Sequence, residues 1–236
     1  MNRIITELYH FWKNPVGFNS NKIIGKRNVI VYFVSLFFSF LVIQFIYGFI
    51  ISTIEIFFRV DINISNLSED YITSKFNLAF YYFLLLLLGP FLEEVVFRLG
   101  LSFKRRDIIV SISFLSLFFL YKEYWYISLL LCTIIIVLLK NSNFDIIVNN
   151  SKELYRNSFI YIISFAFVVL HFSNFSDYNS ISWYVYVAYF FSLFWGVLFL
   201  VFVRFRLGFI WCVILHILVN SIGFLGTFIS RIFSYS

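Results

Sequence analysis

Two adjacent carboxylates, Glu93 and Glu94, lie in an apolar run that reads Phe80-Tyr-Tyr-Phe-Leu-Leu-Leu-Leu-Leu-Gly-Pro-Phe-Leu-Glu-Glu-Val-Val-Phe-Arg98. An ionised carboxylate is costly in hydrocarbon, and two neighbours oppose each other's ionisation. Arg98 follows Glu94 by four residues, so the two share a helix face at the spacing of an intrahelical ion pair. Glu93 points along the face that carries Pro90 and Phe97. Gly89-Pro90 is expected to kink the helix, free a backbone carbonyl and make room for water. Further on, His171 closes the apolar run 158–172, and His216 lies in the run 207–229 with Asn220 one turn later.

Each of these residues alone has a structural reading. Glu94 and Arg98 neutralise each other, a lone histidine is hydrogen-bonded inside its helix, and His216 with Asn220 ties helices together. Depth argues for a shared role. At 1.5 Å per residue from the cytoplasmic end of its segment, Glu93 lies about 15–17 Å, His171 about 20 Å and His216 about 15 Å deep. Three helices can therefore bring a carboxylate and two imidazoles to one level. Two chemistries follow. In one, the carboxylate takes a proton from water that attacks a carbonyl, while imidazole and amide donors hold the oxyanion. In the other, His, His and Glu hold zinc, and the metal activates the water. Both end in amide hydrolysis.

The rest of the chain must position these groups. It has 236 residues, 61% hydrophobic and 13% charged, against about 25% charged in soluble domains. This composition excludes a water-soluble core and predicts an all-α, polytopic membrane helical bundle. Seven apolar segments are expected, at 29–51, 77–103, 108–121, 124–140, 158–172, 183–203 and 207–229, within a range of six to eight spans. The stretch 108–140 reads as a tight hairpin turning at Tyr121-Lys-Glu-Tyr124, with one longer tilted helix as the alternative.

Charge sets the orientation. With a cytoplasmic N-terminus and seven crossings, 13 Lys and Arg lie on the cytoplasmic side. Four lie outside: Arg59, Lys75, Lys122 and Arg231. The loop 52–76 is net acidic, and the bias favours N-in. Residues 3–13 place Ile4, Ile5, Leu8, Phe11 and Trp12 on one stripe, as expected of a short interfacial helix at the inner surface. His10 within it reads as solvated or interfacial. Cys132 and Cys212 read as lipid- or core-facing thiols without a disulfide. The net charge of +6 sits in clusters between spans, so no nucleic-acid partner is expected. The first apolar run is too long for a signal peptide. Residues 1–236 read as a single transmembrane domain without repeats or linkers.

The motifs resemble a known family. Glu93-Glu94-Val-Val-Phe97-Arg98 is similar to the Glu-Glu-x-x-x-Arg motif of the CAAX-processing and bacteriocin-processing (CPBP, Abi) intramembrane proteases. Phe167-Val-Val-Leu-His171 resembles their Phe-x-x-x-His motif, and His216-Ile-Leu-Val-Asn220 their His-x-x-x-Asn motif. The three occur in family order, and the resemblance covers 90–223. This chain departs from the pattern with Leu99, then Gly100, where the family usually has glycine directly after the arginine. Its first two motifs are also further apart, by the basic loop and the 108–140 hairpin.

The resemblance implies a membrane endopeptidase, CAAX-protease-like, acting on an apolar or lipidated peptide or protein substrate in contact with membrane lipid. It implies Glu93 as general base, His171 as orienter of water or oxyanion binder, and His216 and Asn220 as ligands of water or oxyanion from the other side. Glu94 and Arg98 would fix the helix and the ionisation of Glu93. A metal-free mechanism is the preferred expectation. If Zn is present, Glu93, His171 and His216 would hold it. The Phe, Ile, Asn and Lys richness points to an AT-rich bacterial genome and a bacterial cell membrane. Two other functions compete: a non-catalytic scaffold or bacteriocin self-immunity protein of the same fold, and a small proton-coupled transporter. The latter ranks last, for want of paired interrupted helices.

Overall fold

A computed structural model describes residues 2–15, 26–58, 82–121, 124–141, 143–151, 153–172 and 183–234. Arg59, Lys75 and Lys122 lie outside the described residues, as do residues 77–81 of the second expected span and the side chain of Arg231. Every regular element among the described residues is helical. These residues fall into two compact units, Met1–Tyr81 with Tyr161–Leu207, and Tyr82–Ile160 with Gly208–Ser236.

Among the described residues, four helices are long and apolar enough to cross a membrane: Asn28–Thr53, Glu153–His171, Trp183–Leu207 and Phe209–Gly226. Length and composition thus support four of the seven expected spans among the described residues. The second expected span is broken into short helical pieces. The pair at 108–121 and 124–140 forms helices of 17 and 16 residues, short of the roughly 20 that fill a bilayer.

The first unit holds α1 (Asn2–Lys13), α2 (Lys26–Phe58), part of α7 (Glu153–His171) and α8 (Trp183–Leu207). Residues Val197–Val203 of α8 are all buried, as expected of a helix that is apolar all round. On α2, Leu36 and Phe40 are buried, and Phe40 packs on Phe199 with ring centres 5.1 Å apart. Tyr47 donates its hydroxyl to the Ala188 carbonyl, and Tyr161 to that of Trp12.

The stripe of α1 buries Ile4, Leu8 and Phe11 against protein. Phe11 meets Phe202 at 5.3 Å and Trp12 meets Trp195 at 4.7 Å. Ile5 departs from the expected stripe: it is exposed, one residue round the helix from Ile4. An ion pair unforeseen from the sequence locks α1 down. Arg206 Nε lies 3.3 Å from Glu7 Oε2, which also accepts the Tyr32 hydroxyl at 2.5 Å. Arg206 is one of the 13 cations that the expected topology puts on the cytoplasmic side, yet its side chain is buried. Glu7→Lys sets two cations against each other there. It is expected to detach α1, read as faster tryptic cleavage after Lys13.

The second unit is built on a discontinuous helix. A π-helical turn, Leu84–Leu88, leads into α3 (Gly89–Glu94). A second π turn, Val95–Leu99, and a 3-10 turn, Gly100–Ser102, follow. Pro90 supplies no N–H at the start of α3, and the Gly89 N–H reaches back to Leu84 O, the five-residue bond of a π turn. Phe103 then takes a left-handed conformation, φ 58°, and the chain reverses into α4 (Arg105–Tyr121).

Helices α4 and α5 (Trp125–Lys140) pack antiparallel. Ser116 and Ser128 hydroxyls meet at 2.8 Å, and Arg105 donates to the Leu139 carbonyl. The stretch 108–140 is thus two helices rather than one, and its turn falls partly outside the described residues. A short α6 (Phe144–Asn150) precedes α7. Ser111 of α4, buried, donates to Val95 O at 2.8 Å. A Cβ on Gly100 would sit 3.2 Å from Ser111 Oγ, so the close approach relies on glycine. Ser111→Ala strips the Val95 carbonyl of this donor. The expected loss is about 1–3 kcal/mol, checked by thermal denaturation in detergent.

Candidate active site

The second unit also holds α9 (Phe209–Ser234), which packs against α3 and the π turn before it. The Tyr82 and Phe224 rings meet at 4.5 Å, while Glu94 meets Cys212 and His216. The helices therefore run antiparallel. Cys212, His216 and Asn220 follow one another at four-residue intervals, so they share a face of α9.

Glu94 is the hub. Its Oε1 accepts from Arg98 Nη1 at 2.6 Å and faces His216 Nδ1 at 2.8 Å. Its Oε2 accepts from Cys212 Sγ at 2.9 Å. Glu94, Arg98 and Cys212 are fully buried and His216 is 7% exposed. Bonded to a guanidinium, the Glu94 carboxylate is an acceptor only. Nδ1 of His216 then carries a hydrogen, and in the neutral form of the ring the Nε2 lone pair is directed away from Glu94. Nε2 faces Glu93 Oε2 at 3.6 Å, too long for a direct hydrogen bond. The Glu93 side chain is 32% exposed, unlike its neighbour. Consecutive residues on one helix point about 100° apart, so one carboxylate enters the buried cluster and the other lines its open edge.

The structure thus brings together Glu93, Glu94, Arg98 and His216. Asn220 lies one turn beyond His216, half-buried. His171 belongs to the other unit. It is half-buried at the end of α7, with Nδ1 2.9 Å from Phe167 O and its ring stacked on Phe167 at 4.1 Å. The phenylalanine and histidine of the second motif therefore touch one another.

Two links escaped the sequence reading. Helical spacing pairs Glu94 with Arg98 alone, yet Glu94 also holds His216. Cys212, read from the sequence as a packed thiol, donates to Glu94 rather than merely packing. The four-residue spacing to His216 was the available signal for both. A zinc site takes three protein ligands, and among the described residues no group of three or more His, Cys, Asp and Glu side chains could hold a metal ion.

Fold and cluster define a helical protein with membrane-length apolar helices and a buried carboxylate–imidazole centre. Comparison with family models, with characterised proteins and with solved structures gives no match.

Proposed function

We propose that the chain is an intramembrane endopeptidase, hydrolysing a peptide bond in a membrane-associated or lipidated protein or peptide. The observation that carries this reading is the facing of Glu93 Oε2 and His216 Nε2 at 3.6 Å, with His216 held from behind by Glu94. A water about 2.8 Å from both atoms donates one hydrogen to each. Glu93 takes a proton as the water oxygen bonds to the scissile carbonyl carbon, and His216 Nε2 holds the second hydrogen. The proton on Glu93 passes to the amide nitrogen as the C–N bond breaks, leaving a carboxylic acid and an amine. Glu94 keeps the hydrogen on Nδ1, so that Nε2 stays an acceptor for the water. Asn220 supplies an amide donor on the same face of α9.

The topology that goes with this reading has seven spans, a cytoplasmic N-terminus and α1 at the inner surface of a bacterial cell membrane. It rests on the cation bias, with α4 and α5 crossing as a short hairpin. The test is substrate trapping. Glu93→Gln protein is purified from its native membrane, and the peptides that travel with it are identified by mass spectrometry. Cleavage of a trapped peptide by wild type, and not by Glu93→Gln, is the expected result. Equal turnover by both proteins would reject the reading.

A further inference from the structure

We infer that Cys212 is a positioning residue: its thiol pins the Glu94 carboxylate and, through it, the tautomer and orientation of the His216 ring. The terminal torsion of a glutamate is soft and nearly two-fold, so a carboxylate held at one oxygen can turn. Here Oε1 carries both Arg98 and His216, and Oε2 carries Cys212. Three donors on two oxygens define the carboxylate plane, and that plane fixes the direction in which Oε1 meets His216 Nδ1. Cys212 and His216 stand one turn apart on the same face of α9, so a single rigid helix sets both contacts. The thiol is fully buried, in a place where a buried acceptor stripped of its donor is costly. A cysteine kept only for packing would need no such alignment. Cys132 supplies the contrast: it is exposed, and its sulfur lies 3.4 Å from a serine hydroxyl between two helices.

Removing the donor while keeping the volume separates the two roles. Cys212→Val fills the space and cannot donate; Cys212→Ser donates and is slightly smaller. The chain has three histidines, so the imidazole nitrogen resonances of His216 can be assigned in ¹⁵N-labelled protein by difference from His216→Gln. Wild type and Cys212→Ser are expected to show His216 as one tautomer with hydrogen on Nδ1. Cys212→Val is expected to show a mixture with the Nε2–H form. An unchanged single tautomer in a folded Cys212→Val protein would overturn the inference. So would a mixture in Cys212→Ser as large as in Cys212→Val.

A kinetic arm rests on the hydrolase reading. On the peptide recovered with Glu93→Gln, Cys212→Val should lower kcat about 10- to 100-fold, in the range of lost outer-shell partners, with KM unchanged. Cys212→Ser should recover most of that loss. If Glu93→Gln turns the peptide over like wild type, the hydrolase reading falls, and the nitrogen spectra still decide the role of Cys212.

Discussion

Arg98→Leu is expected to destabilise the protein by about 3–5 kcal/mol, the cost of removing one partner from a buried ion pair. Both side chains are fully buried, and Nη1 lies 2.6 Å from Glu94 Oε1. Without the guanidinium, a carboxylate remains inside the unit with only an imidazole and a thiol to meet it. The loss is read from denaturant-induced unfolding in detergent micelles, following a helical signal. Glu94→Gln should cost a similar amount by taking the anionic partner from the buried guanidinium. It also takes the anionic acceptor from His216.

The double variant Glu94→Gln/Arg98→Leu distinguishes a stabilising pair from one that only avoids a penalty. A buried pair replaced on both sides by neutral groups is often close to neutral in stability. The double variant should therefore be no less stable than Arg98→Leu alone, with the two single losses far from additive. Its His216 ring should be released even where the fold recovers. Additive losses would mean that Glu94 and Arg98 act independently despite their contact. Arg98→Lys tests geometry rather than charge: an ammonium lacks the planar fork of the guanidinium, so part of the loss should persist.

Residue type and helical spacing made half of this centre legible. Glu94 and Arg98 stand four apart, and the pair is present. Gly89-Pro90 announced a break, and the helix breaks there, though as a π turn, which no spacing rule distinguishes from a kink. What the chain alone could not disclose is which nitrogen of His216 meets which carboxylate. That choice depends on the antiparallel seating of α9 on α3. The same limit hid Glu7 and Arg206: 199 positions separate them, and nothing local marks Arg206 as buried or Glu7 as its partner. The span count is borne out only in part, for another reason. Hydropathy reads 77–103 as one apolar run, whereas the backbone there is divided by turns that open at Leu84 and Val95. The stripe on α1 was legible apart from Ile5, since burial of a short helix is decided by its contact with α8 and not by periodicity alone.

Glu93→Gln should lower turnover by about 10²–10⁴-fold, the usual worth of a positioned general base, and leave KM nearly unchanged. The amide keeps the size of the side chain and can still hold a water, but it cannot take the proton. Because Glu93 is partly exposed at the edge of the buried cluster, the substitution should cost little stability, and lost activity cannot then be put down to misfolding. His216→Ala removes the other atom facing the water, and its loss should be of comparable size. Two groups that act on one water do not add: the double variant should be about as slow as the slower single one. Multiplied losses would mean that each residue serves a separate step, and the shared water would have to be abandoned. A binding protein of the same fold gives a different pattern altogether. Its peptide affinity would survive Glu93→Gln and fall when the helix pairing is disturbed by Arg98→Leu, so the two substitutions exchange rank between a hydrolase and a scaffold.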